Sequence, residues 1–219
     1  LCHVHVLNRP ALLALWLKWK MGINYIISEH WSGYFKESPG FNNPIKKLFT
    51  GFLIYNSTYV TTVSNYLKNS MIAQGLNNQY RVINNIIEVD QTVLIKDHTH
   101  TSLFKIVCLA RLEDHVKNIS SLINVVIEII KEGYKIQLDL IGVGKDRSKL
   151  EALVDKEGLS KSVIFHGKIL NHKAKEVMSK ADCLVLNSNY ESFGVAPIEA
   201  LSVGVPIIVT DCGGPSEYF

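Results

Sequence analysis

Short apolar segments alternate with stretches of helical periodicity along most of this chain, and this alternation restricts the fold more than any other feature. After residue 102 the apolar segments are rich in β-branched residues, and glycines or polar clusters separate them from amphipathic stretches. We predict five strands here, at residues 104–110, 135–141, 163–165, 182–186 and 205–210. Strands that alternate with helices predict a parallel, doubly wound α/β sheet, whose ligands bind outside the carboxyl ends of the strands.

The first part of the chain repeats this alternation less regularly. Four short strands are predicted at residues 2–7, 25–28, 59–63 and 80–83, with helices at 10–21, 45–55 and 65–74. Periodicity is lost after residue 84, where Asp, Thr, His and Asn are frequent, so residues 85–102 are predicted to link two domains. The predicted domains are therefore residues 1–84 and 103–219.

Two carboxylates, Glu191 and Glu199, follow the fourth predicted strand of the second domain. Pro197 suits the first turn of a helix, because that turn does not need its N–H, and this predicts Glu199 in the same turn. Exposed N–H groups at a helix start can hold an anion, and each carboxylate can accept two hydrogen bonds from a vicinal diol. This combination is typical of a nucleotide-sugar site. The alternative is that Glu199 only interacts with the helix dipole, as acidic residues in a first turn often do.

Two cations lie just after the first strand of the second domain. Arg111 follows that strand directly and Lys117 comes six residues later, so both fall at the ligand-binding edge of the sheet. Arg offers a planar fork and Lys a point charge, which together can clamp a diphosphate and neutralise a departing nucleotide. The alternative is a pair of solvated cations held in weak surface ion pairs by Glu113 and Asp114.

Glycines and a histidine mark other strand ends. Gly142 and Gly144 resemble the start of a dinucleotide-binding motif, but Arg147 occupies the place of the third glycine, which disfavours hydride transfer. Gly167 follows the third strand of the same sheet. His30, at the end of a strand in the first domain, can hydrogen-bond a substrate hydroxyl or carbonyl, whereas His3 and His5 share one strand face and favour a structural role.

Composition excludes several classes of protein. The chain has 219 residues, 47% of them hydrophobic and 20% charged, which is too apolar for a disordered protein. A net charge of +3 without a basic run interleaved with aromatic residues does not support nucleic-acid binding. The cysteines show no metal-binding spacing, and three lie in or beside apolar strands, which predicts buried thiols in a reducing compartment; these are Cys108, Cys183 and Cys212.

The most apolar helical segment is 11–19, with the sequence ALLALWLKW. It is much shorter than the ~20 residues that a membrane span needs. Trp16, Lys18, Trp19 and Lys20 are residues that an interfacial helix can place near lipid headgroups. We favour the other interpretation, a helix that covers a buried sheet.

The segment NYESFGVAPIEALSVGVPIIVTDCGGPSE, together with ARLEDHVKN and LIGVGKDRSKLE, resembles glycosyltransferase family 4, whose members are retaining enzymes of the GT-B fold. The segments VHVLNRPALLAL, YIISEHWSGY and VINNIIEVD resemble the later part of the family's N-terminal domain and its interdomain segment. The resemblance implies an α/β GT-B architecture of two Rossmann-like domains with parallel sheets, both incomplete in this chain. Residues 1–84 would belong to the acceptor-side domain and residues 103–219 to the domain that binds the nucleotide sugar.

The family's E-x7-E and Arg/Lys patterns imply roles for individual residues. Arg111 and Lys117 would bind the donor diphosphate and stabilise the leaving nucleotide, while Glu191 would hold hydroxyls of the transferred sugar. Glu199 would bind the ribose and His30 would contact the donor sugar. The resemblance places further donor contacts at Phe193, Gly194, Gly142, Gly167, Lys168 and Ile169.

The implied reaction is transfer of a hexosyl unit from a UDP- or GDP-sugar to a saccharide or lipid-linked acceptor in polysaccharide or glycolipid biosynthesis. No metal and no cofactor beyond the nucleotide sugar is expected. The expected location is the cytoplasm or, through an N-terminal region outside this sequence, the inner face of the membrane. Alternatives are another GT-B enzyme, such as a nucleotide-sugar 2-epimerase or a phosphorylase, and a non-catalytic nucleotide-sugar-binding fragment. Val143 and Asn85 depart from the family pattern, which usually has Asp and Gly there.

Overall fold

The residues of this chain divide into two units in the computed structural model, which describes residues 1–7, 9–87 and 103–219. The first unit contains Leu1–Ile86, Tyr190–Phe193 and Gly213–Phe219. The second contains Ile87–Asn189 and Gly194–Cys212. Two short segments from the end of the chain thus pack with its beginning, whereas the sequence assigns them to the second domain. Residues 88–102 of the predicted linker lie outside the described residues.

The first unit contains a parallel sheet whose strands follow one another in sequence order. Its strands are β1 (Cys2–His5), β2 (Tyr25–Glu29), β3 (Val60–Thr62) and β4 (Tyr80–Val82), and its helices are α1 (Arg9–Met21), α2 (Pro44–Asn56) and α3 (Asn65–Ala73). Strand β2 is buried along its whole length because it pairs with β1 on one side and β3 on the other. Helix α2 begins at a proline, and the side chain of Asn43 caps it by accepting from the N–H of Ile45 at 2.9 Å.

Helix α1 buries two alanines and a leucine and leaves both of its tryptophans exposed. Ala11, Ala14 and Leu15 form its buried face, whereas Trp16 and Trp19 are exposed. The prediction of a helix that covers a sheet therefore holds for one face only. Of the helices in the described ranges, none has both the length and the apolar composition for crossing a bilayer.

The second unit contains the predicted parallel, doubly wound sheet, in the order β7-β6-β5-β8-β9. Its strands are β5 (Phe104–Leu109), β6 (Ile136–Ile141), β7 (Val163–Gly167), β8 (Cys183–Leu186) and β9 (Ile207–Val209). Its helices are α4 (Asp114–Lys117), α5 (Ile119–Lys131), α6 (Arg147–Lys156), α7 (Asn171–Ser179) and α8 (Val195–Ser202). Strand β5 pairs with β6 on one side and with β8 on the other, so the strand order reverses between β5 and β8. In doubly wound sheets this reversal is the place where ligands bind.

Apolar residues cover both faces of this sheet. Alternate residues of a strand point to opposite faces, and accordingly Ile106 and Cys108 belong to one hydrophobic cluster and Val107 to another. Cys183 and Cys212 are also buried, which confirms the expectation of buried thiols. Burial raises the pKa of the Cys183 thiol to about 11, so this thiol is protonated and unreactive at neutral pH.

Candidate active site

Arg111 lies at the carboxyl end of β5 in the second unit, one residue beyond Ala110. Its side chain is 75% exposed, and its Nε lies 2.8 Å from Oε1 of Glu113. The weak surface pair considered above for this arginine is therefore present. An exposed pair of this kind contributes little to stability, so an arriving anion can displace Glu113 at small cost.

Lys117, the last residue of α4, is half-buried, and the loop that carries it is internally bonded. The carboxylate of Asp114 accepts from the N–H and from the hydroxyl of Ser120, each at 2.7 Å. The N–H of Asp114 donates to Asp146 at 2.8 Å. Asn118 adopts a left-handed conformation with φ of 48°, which separates α4 from α5. These bonds hold the backbone around Lys117 in one conformation before any ligand binds.

Two asparagines after β8 hold the same loop from the other side of the strand reversal. Asn189 donates from its N–H to the carbonyl of Val116 at 2.8 Å and from its side chain to the carbonyl of His115 at 3.0 Å. Asn187 donates from its side chain to the carbonyl of Asn118 at 3.1 Å. Sequence reasoning missed both residues. The sequence placed them only after a predicted strand, and thus at the ligand-binding edge, without indicating which loop they contact.

Gly142 and Gly144 allow the loop after β6 to approach the loop after β5. A Cβ atom on Gly142 would lie 1.9 Å from the carbonyl oxygen of Ala110, and one on Gly144 would lie 2.2 Å from that of Leu112. The N–H of Leu112 donates to the carbonyl of Val143 at 3.0 Å. The glycines thus bring two strand ends together, and Gly142 has in addition a φ of +141° that residues with a side chain rarely adopt.

The turn after β7 is attached to the same edge. Gly142 donates its N–H to the carbonyl of Gly167 at 3.0 Å. Lys168 is exposed, and Ile169 packs against the hydrophobic cluster beneath it. His166, which precedes this turn, lies with Nε2 2.6 Å from the carboxylate of the buried Asp139. This contact with Asp139 fixes the side chain of His166, the residue just before Gly167.

Glu199 does not lie in the first turn of its helix, so that prediction is wrong. Helix α8 begins at Val195 because Gly194, with φ of 80° and ψ of 70°, is its N-terminal flanking residue. Pro197 is then the third helical residue, still within the turn whose N–H groups lack intrahelical acceptors. Glu199 is the fifth, in the second turn. Since the helix dipole acts mainly on the first turn, it does not account for a carboxylate at this position.

The carboxyl group of Glu199 is half-buried. Its pKa is raised by desolvation, and the positive charge of Lys175 on α7 opposes this only in part. A partly buried carboxyl group whose charged form is disfavoured by desolvation is a candidate ligand-binding group.

We expect Glu199→Gln to raise the melting temperature of the chain at neutral pH. The raised pKa means that the folded chain binds this proton more tightly than the unfolded chain. The free energy of unfolding therefore falls as pH rises from the ordinary carboxyl pKa through the raised one, and the amide removes that loss. Thermal unfolding followed at neutral and at acidic pH measures the effect, which should vanish at acidic pH. Glu176→Gln is the matched control, because Lys180 lowers the pKa of Glu176 and its replacement should not stabilise. Equal effects of the two substitutions would contradict this account.

Glu191 and Phe193 belong to the first unit, where their segment is attached to the start of α3. The hydroxyl of Ser64, the N-cap of α3, donates to the carbonyl of Ser192 at 2.6 Å. The carbonyl of Glu191 accepts from the N–H of Gly214 at 2.9 Å. The ring of Phe193 packs against Tyr218 with 4.8 Å between centroids. The backbone on either side of the Glu191 carboxylate is thus fixed.

A second carboxylate, Glu217, caps the same helix end. It accepts from the N–H and the side-chain amide of Asn65, at 2.9 and 3.2 Å, and from the N–H of Tyr66. Because the first N–H groups of a helix lack intrahelical acceptors, this carboxylate both satisfies them and interacts favourably with the helix dipole. The sequence did not indicate this role, which joins residues 152 positions apart.

His30 is exposed at the end of β2, next to a buried carboxylate that the sequence did not single out as structural. The Glu29 carboxylate accepts from the N–H groups of Leu7, His30 and Trp31 at 3.0 to 3.1 Å and from the hydroxyl of Tyr34 at 3.1 Å. Burial and then the charge of Glu29 raise the pKa of Tyr34, so this phenol stays a donor. Glu29 therefore holds the backbone that carries His30.

Burial and two neighbouring histidines act on the pKa of His3. The ring of His5 lies 4.1 Å from that of His3 and 6.5 Å from that of His30, measured between centroids. Desolvation, followed by the charges that His5 and His30 acquire on protonation, lowers the pKa of His3. His3 also lies 2.7 Å from the hydroxyl of Ser28, which agrees with a structural role for this residue.

The structure thus divides the predicted site residues between the two units. The second unit holds Arg111, Lys117, Gly142, Gly167, Lys168, Ile169, Gly194 and Glu199. The first unit holds His30, Glu191 and Phe193. Within the second unit, hydrogen bonds directly connect the strand ends that carry Arg111, Gly142 and Gly167.

Comparison with known sequences identifies two families. Residues 90–219 match the family described as "Glycosyl transferases group 1", and residues 1–91 match the one described as "Glycosyltransferase Family 4". The chain is 28% identical to an uncharacterized glycosyltransferase of Methanocaldococcus jannaschii, over 99% of this chain and 57% of that protein. It is also 28% identical to the N-acetyl-alpha-D-glucosaminyl L-malate synthase of Bacillus anthracis, over 98% of this chain and 57% of that enzyme. The chain therefore spans a little more than half the length of these two relatives.

Solved structures agree with the fold. HepE of Anabaena, in complex with UDP and glucose, superimposes with a TM-score of 0.78 at 16% identity, over 98% of this chain and 60% of HepE. The sucrose-phosphate synthase of Thermosynechococcus elongatus gives a TM-score of 0.78 at 20% identity, over 97% of this chain and 56% of that one. The prediction of an α/β GT-B fold with parallel sheets in two sets is confirmed.

Proposed function

This chain belongs to the glycosyl transferases group 1 family, and on that premise we propose that it binds a nucleoside diphosphate sugar whose hexosyl unit is transferred to an acceptor. The acceptor is a hydroxyl of a saccharide or of a lipid-linked saccharide, and the pathway is polysaccharide or glycolipid biosynthesis. One relative with 27% identity over 73% of this chain is the lipopolysaccharide 1,6-galactosyltransferase of Salmonella typhimurium, which supports this choice of pathway.

The observation that carries the proposal is the bonded loop around Lys117 at the strand reversal of the second unit. Asn187 and Asn189 fix that loop from β8, and Asp114 fixes it from within. A cation on such a loop meets a diphosphate without the cost of ordering its own backbone. Arg111, one residue beyond Ala110, adds a planar fork that can bind two phosphate oxygens at once.

Each remaining site residue has a part in the proposed reaction. Glu199 accepts hydrogen bonds from the two ribose hydroxyls, and Glu191 from hydroxyls of the transferred sugar. His30 contacts the same sugar, and the turn Gly167, Lys168, Ile169 borders the base. We propose UDP as the donor nucleotide, supported by the structures of HepE and of TarM from S. aureus, both in complex with UDP, with GDP as the alternative.

The proposed transfer proceeds with retention and without an enzymic nucleophile. The bond between the sugar C1 and the β-phosphate oxygen breaks while the acceptor oxygen bonds to C1 on the same face. The acceptor proton passes to the departing phosphate oxygen, and the nucleoside diphosphate leaves with its charge neutralised by Arg111 and Lys117. Because these two cations neutralise the leaving group, we propose that the reaction needs no metal.

Calorimetric titration of the 219-residue chain with UDP, GDP and 2′-deoxy-UDP tests the donor site. We expect UDP to bind more tightly than 2′-deoxy-UDP by about tenfold, since the deoxy ligand offers Glu199 one hydroxyl fewer. In Glu199→Ala, which removes the acceptor oxygens, the two uridine nucleotides should bind with equal, weaker affinity. Failure of UDP and GDP alike to bind, or an unchanged preference for the ribonucleotide in Glu199→Ala, would contradict the proposal.

A further inference from the structure

Helices α1 and α2 of the first unit expose a continuous apolar surface, which the proposed sugar transfer does not use. We call it the α1–α2 face and define it by Trp16 and Trp19 of α1 and Ile45, Leu48, Phe52 and Tyr55 of α2, all of them exposed. The rings of Trp19 and Phe52 meet edge to face with 6.0 Å between centroids, so the two helices form one surface. Exposed apolar surfaces of this kind mark sites of interaction.

The exposed stripe of α2 is regular. Ile45, Leu48, Phe52 and Tyr55 recur at intervals of three and four residues, which places them on one side of the helix. The opposite side carries the buried residues Thr50, Leu53 and Ile54. The exposed side of this helix therefore carries large apolar and aromatic side chains where a solvent-facing helix would carry polar ones.

The charged residues of helices α1 and α2 have a single sign. Neither α1 nor α2 contains Asp or Glu, and together they contain Arg9, Lys18, Lys20, Lys46 and Lys47. Residues 1–87 contain eight Lys and Arg against two Asp and Glu, a formal charge of +6, whereas the rest of the sequence sums to −3. One of those two acidic residues, Glu29, is buried and cannot offset charge at the surface.

The cations lie at the ends of the helices, beside the apolar stripe. Lys18 and Lys20 are in the last turn of α1, where the ammonium of Lys18 donates to the carbonyl of Asn56 at 2.6 Å. Lys46, in the first turn of α2, places its Nζ 4.2 Å from the centroid of the Trp31 ring. An apolar and aromatic face flanked by Lys matches the interface of an anionic bilayer, where aromatic side chains enter the headgroup boundary and ammonium groups meet lipid phosphates.

We propose that the α1–α2 face docks on the surface of an anionic membrane. A protein partner would need an acidic surface opposite these helices as well as an apolar one, whereas an anionic bilayer supplies both along its whole surface. Nucleic acid gives no reason for exposed Ile and Leu. The helices lie along the membrane surface and do not cross it. This inference rests on the exposed helices alone and stands apart from the proposed sugar transfer.

Flotation of the 219-residue chain with vesicles tests the proposal. We expect the chain to float with vesicles of phosphatidylcholine mixed with phosphatidylglycerol, to float much less with phosphatidylcholine alone, and to be released by salt. The double variant Ile45→Ser/Leu48→Ser should lower the partition coefficient by about tenfold. These side chains are 77% and 79% exposed, so the fold does not depend on them. Lys20→Gln should lower the coefficient by about fivefold.

The matched control makes the same kind of substitution, an exposed apolar residue to serine, in the second unit. Tyr134 and Ile208 of the second unit are 64% and 61% exposed, and Tyr134→Ser/Ile208→Ser should leave the partition coefficient unchanged. Equal flotation of the Ile45→Ser/Leu48→Ser variant and the parent chain overturns the proposal. So does equal binding to neutral and anionic vesicles. A dimer in gel filtration that Ile45→Ser/Leu48→Ser dissociates, without any vesicle binding, would assign this face to a second copy of the chain instead.

Discussion

Gly142→Ala is expected to lower the free energy of unfolding of the second unit by about 4 kcal/mol and to abolish nucleotide binding. The added methyl group would lie 1.9 Å from the carbonyl oxygen of Ala110, a residue whose own N–H is held by the carbonyl of Ile141 at 3.0 Å. The φ of +141° adds backbone strain to this overlap. Relief requires the loop after β6 to move away from the loop that follows Ala110 and carries Arg111.

Urea unfolding together with UDP titration measures this effect. Gly158→Ala is the matched control, because Gly158 also has a positive φ, of +69°, but a Cβ atom there meets nothing within 4 Å. The control should lose about 1 kcal/mol, the cost of the left-handed conformation alone, and keep its nucleotide affinity. If both variants lost the same stability, the close approach of the two loops would not be what demands glycine at position 142.

Lys117→Ala is expected to weaken UDP binding about thirtyfold and to leave uridine binding unchanged. A hydrogen bond to a charged group contributes about 2 kcal/mol, and the ammonium meets only the diphosphate part of the ligand. Comparing UDP with uridine separates this contribution from any change in the base and ribose contacts. Calorimetric titration of both ligands against parent and variant gives the two ratios.

The control for this substitution is Lys161→Ala, because Lys161 is exposed at the amino end of β7, away from the ligand-binding edge. Its replacement should change neither affinity. Weakening of uridine and UDP by equal factors in Lys117→Ala would show that the residue shapes the loop and does not bind phosphate. Asn189→Ala, which releases the carbonyl of His115, should give an intermediate loss for UDP only.

Much of the second unit followed from local patterns in the sequence. Buried parallel strands appear as short apolar runs, and helices such as α5 show apolar residues at helical spacing, so strand number and the parallel sheet were predictable. The ends of the strands were less predictable. Residues 205–210 were predicted as a strand, and only Ile207–Val209 form one. Pairing with β8 decides that boundary, and no local pattern encodes it.

The errors at the candidate site came from backbone conformation and long-range contacts. Glu199 was expected in a first turn because Pro197 is typical of helix starts, but the positive φ of Gly194 sets the start at Val195. Asn187 and Asn189 act through hydrogen bonds to residues about 70 positions earlier, which composition and periodicity do not reveal. The residues named from the family pattern remain predictions until a ligand is bound.

The capping of α3 by Glu217 has a consequence for the order in which the molecule can be completed during synthesis. Helix α3 is translated before its cap, since the N–H of Asn65 donates to a carboxylate that lies 152 positions later in the chain. The carbonyl of Ser192, which accepts from the Ser64 hydroxyl, follows that serine by 128 positions. Domains generally fold as they emerge, N-terminal part first. Here the nascent first unit lacks these contacts until nearly the whole second unit has been made, so the first unit reaches its final stability only after most of the second has been synthesised.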